Sequence, residues 1–222
     1  MVTEAELVSL VKDAKAATKQ RKFKQSIELV MVFKDIDVKK GFAINDVVQL
    51  PRPTSSPATV CVMASGEMSL KAKQAKADGV YNADELARLG ENKRESRKVI
   101  NKFDFFLADT QIMPTVGKVL GQLLGPRGKM PTPVPFNAPI ESFLQRFRAS
   151  VKVRVRSSLS MAVKIGDESM SNEDLAANAH AVINNVEKKL PNGDKNIRKI
   201  LIKTTMGKPT KLIQEAKKNA RK

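Results

Sequence analysis

One imidazole and one thiol, His180 and Cys61, are all the chain has of either group. His180 sits in a helical stretch without Cys or His company, so no zinc-ligand set is assembled. It leaves no Ser–His or Cys–His pair unless it serves itself, and nothing nearby marks a nucleophile. Cys61 lies inside the apolar run Thr59-Val60-Cys61-Val62-Met63, the setting of a core residue, and a lone cysteine forms no internal disulfide. The glycines of Gly121-Gln-Leu-Leu-Gly125-Pro-Arg-Gly128-Lys129 fail the phosphate-loop spacing, because Pro126 stands five positions after Gly121. Ser65-Gly66-Glu67 follows a strand and could hold a phosphate at a helix N-terminus, but the full dinucleotide fingerprint is absent. Carboxylates occur singly or beside lysines, as on a solvated face. The expectation is no enzyme, no metal and no cofactor.

Two patches suit RNA instead. In Arg21-Lys22-Phe23-Lys24-Gln25-Ser26, followed by Glu28, an aromatic is embedded in cations at the start of a strand. Phe23 could pack on a ribose or base while Lys22 and Lys24 neutralise phosphates; equally, it could staple a helix to the sheet. The second patch is Lys203-Thr204-Thr205-Met206-Gly207-Lys208. Gly207 has no side chain to obstruct a close backbone approach, and threonine hydroxyls can meet 2′-OH or phosphate oxygens. The competing reading is an ordinary strand-to-helix turn. Phe23→Ala and Gly207→Val are both expected to weaken specific RNA binding and leave folding intact.

Charge agrees with a polyanionic partner. The 222 residues carry 40 basic and 23 acidic side chains, a net +17. Residues 1–57 hold ten basic against seven acidic groups, 58–149 fourteen against nine, and 150–222 sixteen against seven. The excess leans toward the last third. A 41% hydrophobic fraction suits a folded chain of one large or two modest domains. The opening MVTEAELVSL lacks a basic region followed by an apolar core, and no run approaches the 18 apolar residues of a span, so neither a signal peptide nor a membrane is expected.

These patches need elements to position them. Residues 3–19 read as a helix capped by Thr3 with Glu6, its apolar stripe being Leu7, Leu10, Val11 and Ala14. Ser26–Lys34 alternates with Ile27, Leu29, Met31 and Phe33 on one face, and Ile44–Leu50 is a second strand. Pro51-Arg-Pro-Thr-Ser-Ser-Pro57 cannot be helix or central strand and marks a boundary. Beyond it come a strand at 58–64, a helix at 67–77, a short strand at 79–81, one helix through about 91–101, a strand at 103–108 and a last helix at about 138–148. Such βα repetition argues a small sheet with helices on both sides. Val151–Arg156 alternates strictly, giving a half-exposed strand with a basic outer face. Ser160–Ile165 is a strand, Ser171 opens a helix to about Leu190, Ile197–Thr205 is a strand, and a basic tail follows. The strands after 150 are too few for a stable layer, and so are those of the first fifty-odd residues. Pairing them makes 58–149 an insertion within a discontinuous domain of 1–57 and 150–222, the chain crossing twice, which makes a hinge.

Asp104–Pro135, DFFLADTQIMPTVGKVLGQLLGPRGKMPTPVP, organises the middle. A buried run ends at Asp109 and Thr110. Ile112, Val116, Val119, Leu120, Leu123 and Leu124 then follow helical spacing. Gly125-Pro126-Arg127-Gly128-Lys129 is expected to stop that helix, and Pro131, Pro133 and Pro135 to hold out an extended loop. Arg127 and Lys129 on that loop could contact RNA or dock on the first domain. ADTQIMPTVGKVLGQLLGPRGKMPTP resembles the signature of the large-subunit ribosomal protein L-one family in its archaeal form. The resemblance implies an α/β protein of two domains: a discontinuous two-layer α/β domain from both termini and an inserted Rossmann-like three-layer α/β domain. It implies ribosomal-RNA contacts at Thr205, Met206 and Gly207, with Phe23, Ser26 and Glu28 as the partner patch. The segment RPTSSP after Leu50-Pro51 departs from the family's glycine- and lysine-bearing linker. The implied function is a non-catalytic large-subunit protein of the cytoplasmic ribosome. It would bind rRNA in the mobile lateral stalk, meet the exit-site tRNA and aid its release, and repress translation by binding its own mRNA. The alternatives are a basic DNA-associated architectural protein, which would show no preference for folded RNA, and a phosphate-handling enzyme, which nucleotides would stabilise.

Overall fold

Thr3 and Glu6 close a reciprocal cap: the Thr3 amide donates to Glu6 Oε2 at 2.9 Å and the Glu6 amide to Thr3 Oγ1 at 3.4 Å. From this cap helix α1 (Glu4–Ala16) runs with Leu7, Leu10, Val11 and Ala14 buried. A computed structural model of the chain describes residues 2–36, 42–136, 138–156 and 158–212. It divides into two units, Met1–Ser56 with Val151–Lys222, and Pro57–Ser150. The basic tail expected at the C-terminus lies, from 213 on, outside the described residues.

In the first unit β1 (Ser26–Phe33) buries every second residue, Ile27, Leu29, Met31 and Phe33, as its alternation requires. It lies between two strands from the far end of the chain, β8 (Ser160–Asp167) and β9 (Ile197–Thr204), and is antiparallel to both. Leu29 faces Val163 on one side and Ile202 on the other. The two-residue β10 (Thr210–Lys211) extends the sheet to the order β10-β9-β1-β8. Helices α1 and α7 (Asn172–Lys189) form the second layer, α7 contributing Leu175, Ala179, Val182, Ile183 and Val186 to the shared core. Ser171 caps α7 by accepting the Asp174 amide at 3.1 Å. His180 of α7 has the Glu4 carboxylate at 3.6 Å.

A separate pair joins β2 (Ile44–Gln49) to β7 (Ser150–Val155). The basic outer face expected of this half-exposed strand is Lys152 and Arg154, partly exposed on β7, with Arg156 exposed just past its end. The proline-rich segment is held to this unit rather than free. Asn178, fully buried on α7, accepts the Arg52 amide at 2.9 Å and donates to the Arg52 carbonyl at 3.1 Å, and the Arg52 guanidinium meets Asp174 at 3.1 Å.

The second unit is a parallel sheet, β4 (Gly79–Tyr81), β3 (Val60–Met63), β5 (Phe105–Asp109) and β6 (Thr132–Val134), in that spatial order. β3 and β5 are buried at every position, because helices cover both faces. Cys61, Met63, Phe106 and Ala108 pack under α3 (Ala83–Glu91), α4 (Lys93–Lys102) and α5 (Met113–Arg127). Val62 and Leu107 turn toward Met68 of α2 (Gly66–Gln74) and Ile140 and Phe143 of α6 (Ile140–Arg148). Burial pushes the Cys61 thiol up to about 12, which keeps it protonated and unreactive at neutral pH.

Three details go beyond or adjust the expectations. The helix expected at about 91–101 is present as α4, and a further helix, α3, precedes it. Asn92, at φ −107° and ψ 91°, breaks the run and accepts the amides of Arg94 and Glu95. The α5 helix stops within the expected Gly125–Lys129 segment, but two residues past Pro126. It continues through that proline in its last turn and ends at Gly128, whose φ of 68° admits the left-handed cap. The Gly128 amide donates to the Gly125 carbonyl at 2.9 Å and the Lys129 amide to Leu124 at 3.0 Å, the paired bonds of a Schellman end. The prolines after it do not hold out a loop. Thr132-Pro133-Val134 is the edge strand β6, with Pro133 opposite Ala108, an edge being where a strand tolerates a missing donor.

Candidate nucleic-acid interface

Because β1 and β9 are antiparallel, the start of one meets the end of the other: Ile27 pairs Thr204 and Glu28 pairs Lys203. Both sequence patches therefore share one end of one sheet. Ser26 and Thr205 lock them together. The Thr205 amide donates to the Ser26 carbonyl at 3.0 Å, and the Ser26 amide to Thr205 Oγ1 at 3.0 Å. Across the strands Lys203 Nζ lies 3.8 Å from Glu28 Oε2, each side chain about a third exposed at 30% and 32%.

Above this lock Phe23 is 51% and Met206 61% exposed, two large apolar side chains left in solvent at the same end of the sheet. Phe23 is no staple, since it joins neither hydrophobic core. Lys22, Lys24 and Lys208 are exposed beside them. The arrangement is an apolar platform in a cationic rim. It can stack a base or ribose while lysines meet phosphates.

Thr204 is placed otherwise. It is fully buried, and its Oγ1 lies 2.8 Å from Thr18 Oγ1, which donates to the Ala14 carbonyl at 2.6 Å. Thr204 therefore braces the platform from beneath instead of facing outward. Gly207 also has an internal reason to be glycine. A Cβ there would lie 2.2 Å from Thr204 Oγ1 and 3.0 Å from Thr18 Oγ1. This overturns the expectation that Gly207→Val leaves folding intact, because the branched side chain must displace the hydroxyl pair.

Gln25 and Thr18 carry the geometry and are missing from the residues chosen by sequence. Gln25 is 1% exposed; its Nε2 donates to the Lys19 carbonyl at 3.2 Å and its Oε1 accepts the Met206 amide at 3.2 Å. It ties the end of α1 to the Met206 turn. Parity was the available signal: Gln25 stands two residues before Ile27, so an inward position is occupied by an amide. Beside it Lys15, Thr18, Lys19, Gln20, Glu168 and Thr204 line an open recess of about 350 Å³. Lys15 donates to the Met170 carbonyl at 2.6 Å, and burial lowers its pKa against the opposing pull of Glu168 and Glu173.

The Arg127–Lys129 end of α5 serves its own unit. Lys129 Nζ donates to the carbonyls of Ile100 at 3.0 Å and Phe103 at 2.5 Å, capping α4, and Arg127 donates to Asn101 Oδ1. Burial lowers the Lys129 pKa. Among the described residues no group of three or more His, Cys, Asp or Glu side chains is placed to hold a metal, and no helix is long and apolar enough to cross a membrane.

Comparison with known proteins adds an independent line. The profile of the ribosomal protein L1p/L10e family matches residues 14–208. Among similar proteins, the large ribosomal subunit protein uL1 of Cenarchaeum symbiosum is 68% identical over 207 residues, 93% of this chain and 95% of that one. That of Thermofilum pendens is 43% identical over 97% of this chain and 96% of its own length. That of Methanothermobacter thermautotrophicus is 38% identical over 95% of this chain and all of its own.

Proposed function

This chain belongs to the ribosomal protein L1p/L10e family, and from that membership we propose that it binds large-subunit rRNA through the platform of its first unit. The family is one of structural ribosomal proteins and not of enzymes. The observation that carries the reading is the exposure of Phe23 and Met206 at one end of the β1–β9 pair, within a rim of lysines. Phe23 and Met206 stack on sugar or base. Lys22, Lys24, Lys203 and Lys208 take phosphates. Thr205 and Gly207 offer backbone and hydroxyl contacts, and Thr204, Thr18 and Gln25 hold the turn. Glu28 steadies Lys203 and accepts from 2′-hydroxyls, which DNA lacks. With its rRNA segment the protein forms the mobile lateral stalk of the large subunit in the cytoplasmic ribosome, beside the exit-site tRNA whose release it aids. It also represses translation by binding its own mRNA. Family membership supports these last roles.

The experiment is binding to in-vitro-transcribed large-subunit rRNA, against DNA of equal length, at two salt concentrations. RNA binding that survives higher salt better than DNA binding supports contacts beyond charge. Phe23→Ala should then cost roughly 1–3 kcal/mol of RNA affinity, with unfolding unchanged. Equal affinities that fall together with salt leave only net charge, and an architectural DNA protein becomes the better reading.

A further inference from the structure

Helix α4 breaks the ordinary rules for an exposed helix. Between Lys93 and Lys102 it carries Lys93, Arg94, Arg97, Lys98 and Lys102 against the single acid Glu95. All five cations are exposed, while Ser96 and Ile100 are buried and fix which way the helix faces. Lys93 with Arg97, Arg94 with Lys98, and Lys98 with Lys102 are like charges one turn apart, an arrangement that destabilises a helix. Lys93 and Arg94 also occupy the first turn, where the helix dipole disfavours cations. Among the described residues no carboxylate pairs with Lys93, Arg94, Arg97 or Lys98. A merely solvated face would be laced with alternating charge. This one sets five cations against Glu95 alone, at a cost to local stability, as functional surfaces do.

We infer that the outer face of α4 is a second RNA-binding surface, in the second unit and independent of the Phe23–Met206 platform, which takes the phosphate backbone without reading sequence. Residues four apart on a helix rise ~6 Å, so Arg94, Lys98 and Lys102 form a row along which one strand's phosphates can lie. A lipid surface is the poorer partner, because the apolar side of α4 is already committed to the core through Ile100. Lys129 and Arg127, bonded to the end of α4, hold the row in place. The choice of RNA over another polyanion rests on the reading of the first unit.

The test uses the full chain and in-vitro-transcribed large-subunit rRNA over a series of salt concentrations. The triple variant Arg94→Gln, Arg97→Gln, Lys98→Gln should bind every RNA more weakly, with a logarithmic salt slope shallower by about 2–3. It should melt no lower than the unaltered chain, since the repulsions removed outnumber the attraction of Lys98 to Glu95. The control Lys71→Gln, Lys73→Gln, Lys76→Gln takes the same charge from α2 and the turn after it in the same unit. An unchanged slope in the α4 variant, or an equal change in the control, overturns the proposal. Phe23→Ala is measured in parallel. If it loses affinity while the α4 variant does not, the platform stands and the second surface falls. If Phe23→Ala changes nothing while the α4 slope drops, the platform reading fails and the α4 surface stands.

Discussion

Thr18 and Thr204 touch through their hydroxyl oxygens at 2.8 Å, although 186 positions separate them in sequence, and the missing side chain of Gly207 leaves them room. The proton of Thr18 is committed to the Ala14 carbonyl, so Thr204 donates to Thr18. Gly207 completes the corner by donating its amide to the Thr204 carbonyl at 3.1 Å. Two segments distant in the chain thus meet under the turn that presents Met206.

Gly207→Ala should therefore destabilise the protein by ~1–3 kcal/mol through overpacking alone, since Gly207 does not stand in the left-handed region. Thr204→Ala removes the offending hydroxyl. In the double variant the 2.2 Å clash is gone and only the 3.0 Å approach to Thr18 Oγ1 is left, so urea midpoints should show a coupling energy of about 1 kcal/mol or more between the sites. Additive losses would mean that the added methyl finds space by another route.

Much of this corner was open to sequence reasoning, and the rest was hidden for physical reasons. The Thr3–Glu6 cap and the alternating run Ile27–Phe33 are local patterns with one structural solution, so residues alone identify them. The closeness of residues 23–28 and 203–208 followed from strand shortage at both ends of the chain. Helix α3 was obscured because its nine residues bury only Leu86 and Leu89, too short a stripe to mark a helix. Pro126 misled because its missing N–H removes one bond near the end of α5 without halting it, and Gly128 closes the helix two residues later. Gln25 escaped because a buried amide is defined by partners, here Lys19 and Met206, that only the fold assembles. The basic row on α4 was visible as composition but not as a face until Ser96 and Ile100 were seen to point inward.

Gln25→Ala should leave the Lys19 carbonyl and the Met206 amide without their partner in a nearly buried site. A loss of ~1–3 kcal/mol is expected. Hydrogen exchange separates this from a general loss: the Met206 amide should lose protection more than Ile200 or Ile202 in mid-strand. Gln25→Glu keeps the acceptor for Met206 but not the donor to Lys19, so Met206 protection should largely survive. If both variants lose it equally, the side-chain oxygen is not what holds the turn.

Cys61 ties stability to alkaline pH. Its thiol is raised from 9.0 to about 12 by burial, so the unfolded chain releases this proton first. The contribution is whole below pH 9 and is lost as pH rises from 9 toward 12. By pH 10.5 the loss reaches about 2 kcal/mol. Tyr81, also raised mainly by burial, acts in the same direction. Comparing urea unfolding at pH 8 and pH 10.5 in the unaltered chain and in Cys61→Ala isolates the thiol. The variant starts less stable because of the cavity, but should lose less between the two pH values. Parallel losses would show that the thiol is not the titrating group.

Lys129 tests how far the end of α5 supports α4. Its ammonium bonds the Ile100 and Phe103 carbonyls, and burial lowers its pKa below the ordinary 10.5. A lysine so shifted is protonated more readily in the unfolded chain. Its titration therefore adds stability as pH climbs through the window just below 10.5, opposite in sign to Cys61. Lys129→Met keeps the stem and removes the donors. It should cost about 1–2 kcal/mol near neutral pH, because the last carbonyls of α4 lose their cap. The loss should appear as faster hydrogen exchange at the end of α4, with the amides of β1 and β9 unaffected. Arg127→Ala, which removes the bond to Asn101 but leaves Lys129 in place, should show a smaller version of the same local change. Uniform loss of protection across both units would mean that Lys129 supports more of the protein than the end of one helix.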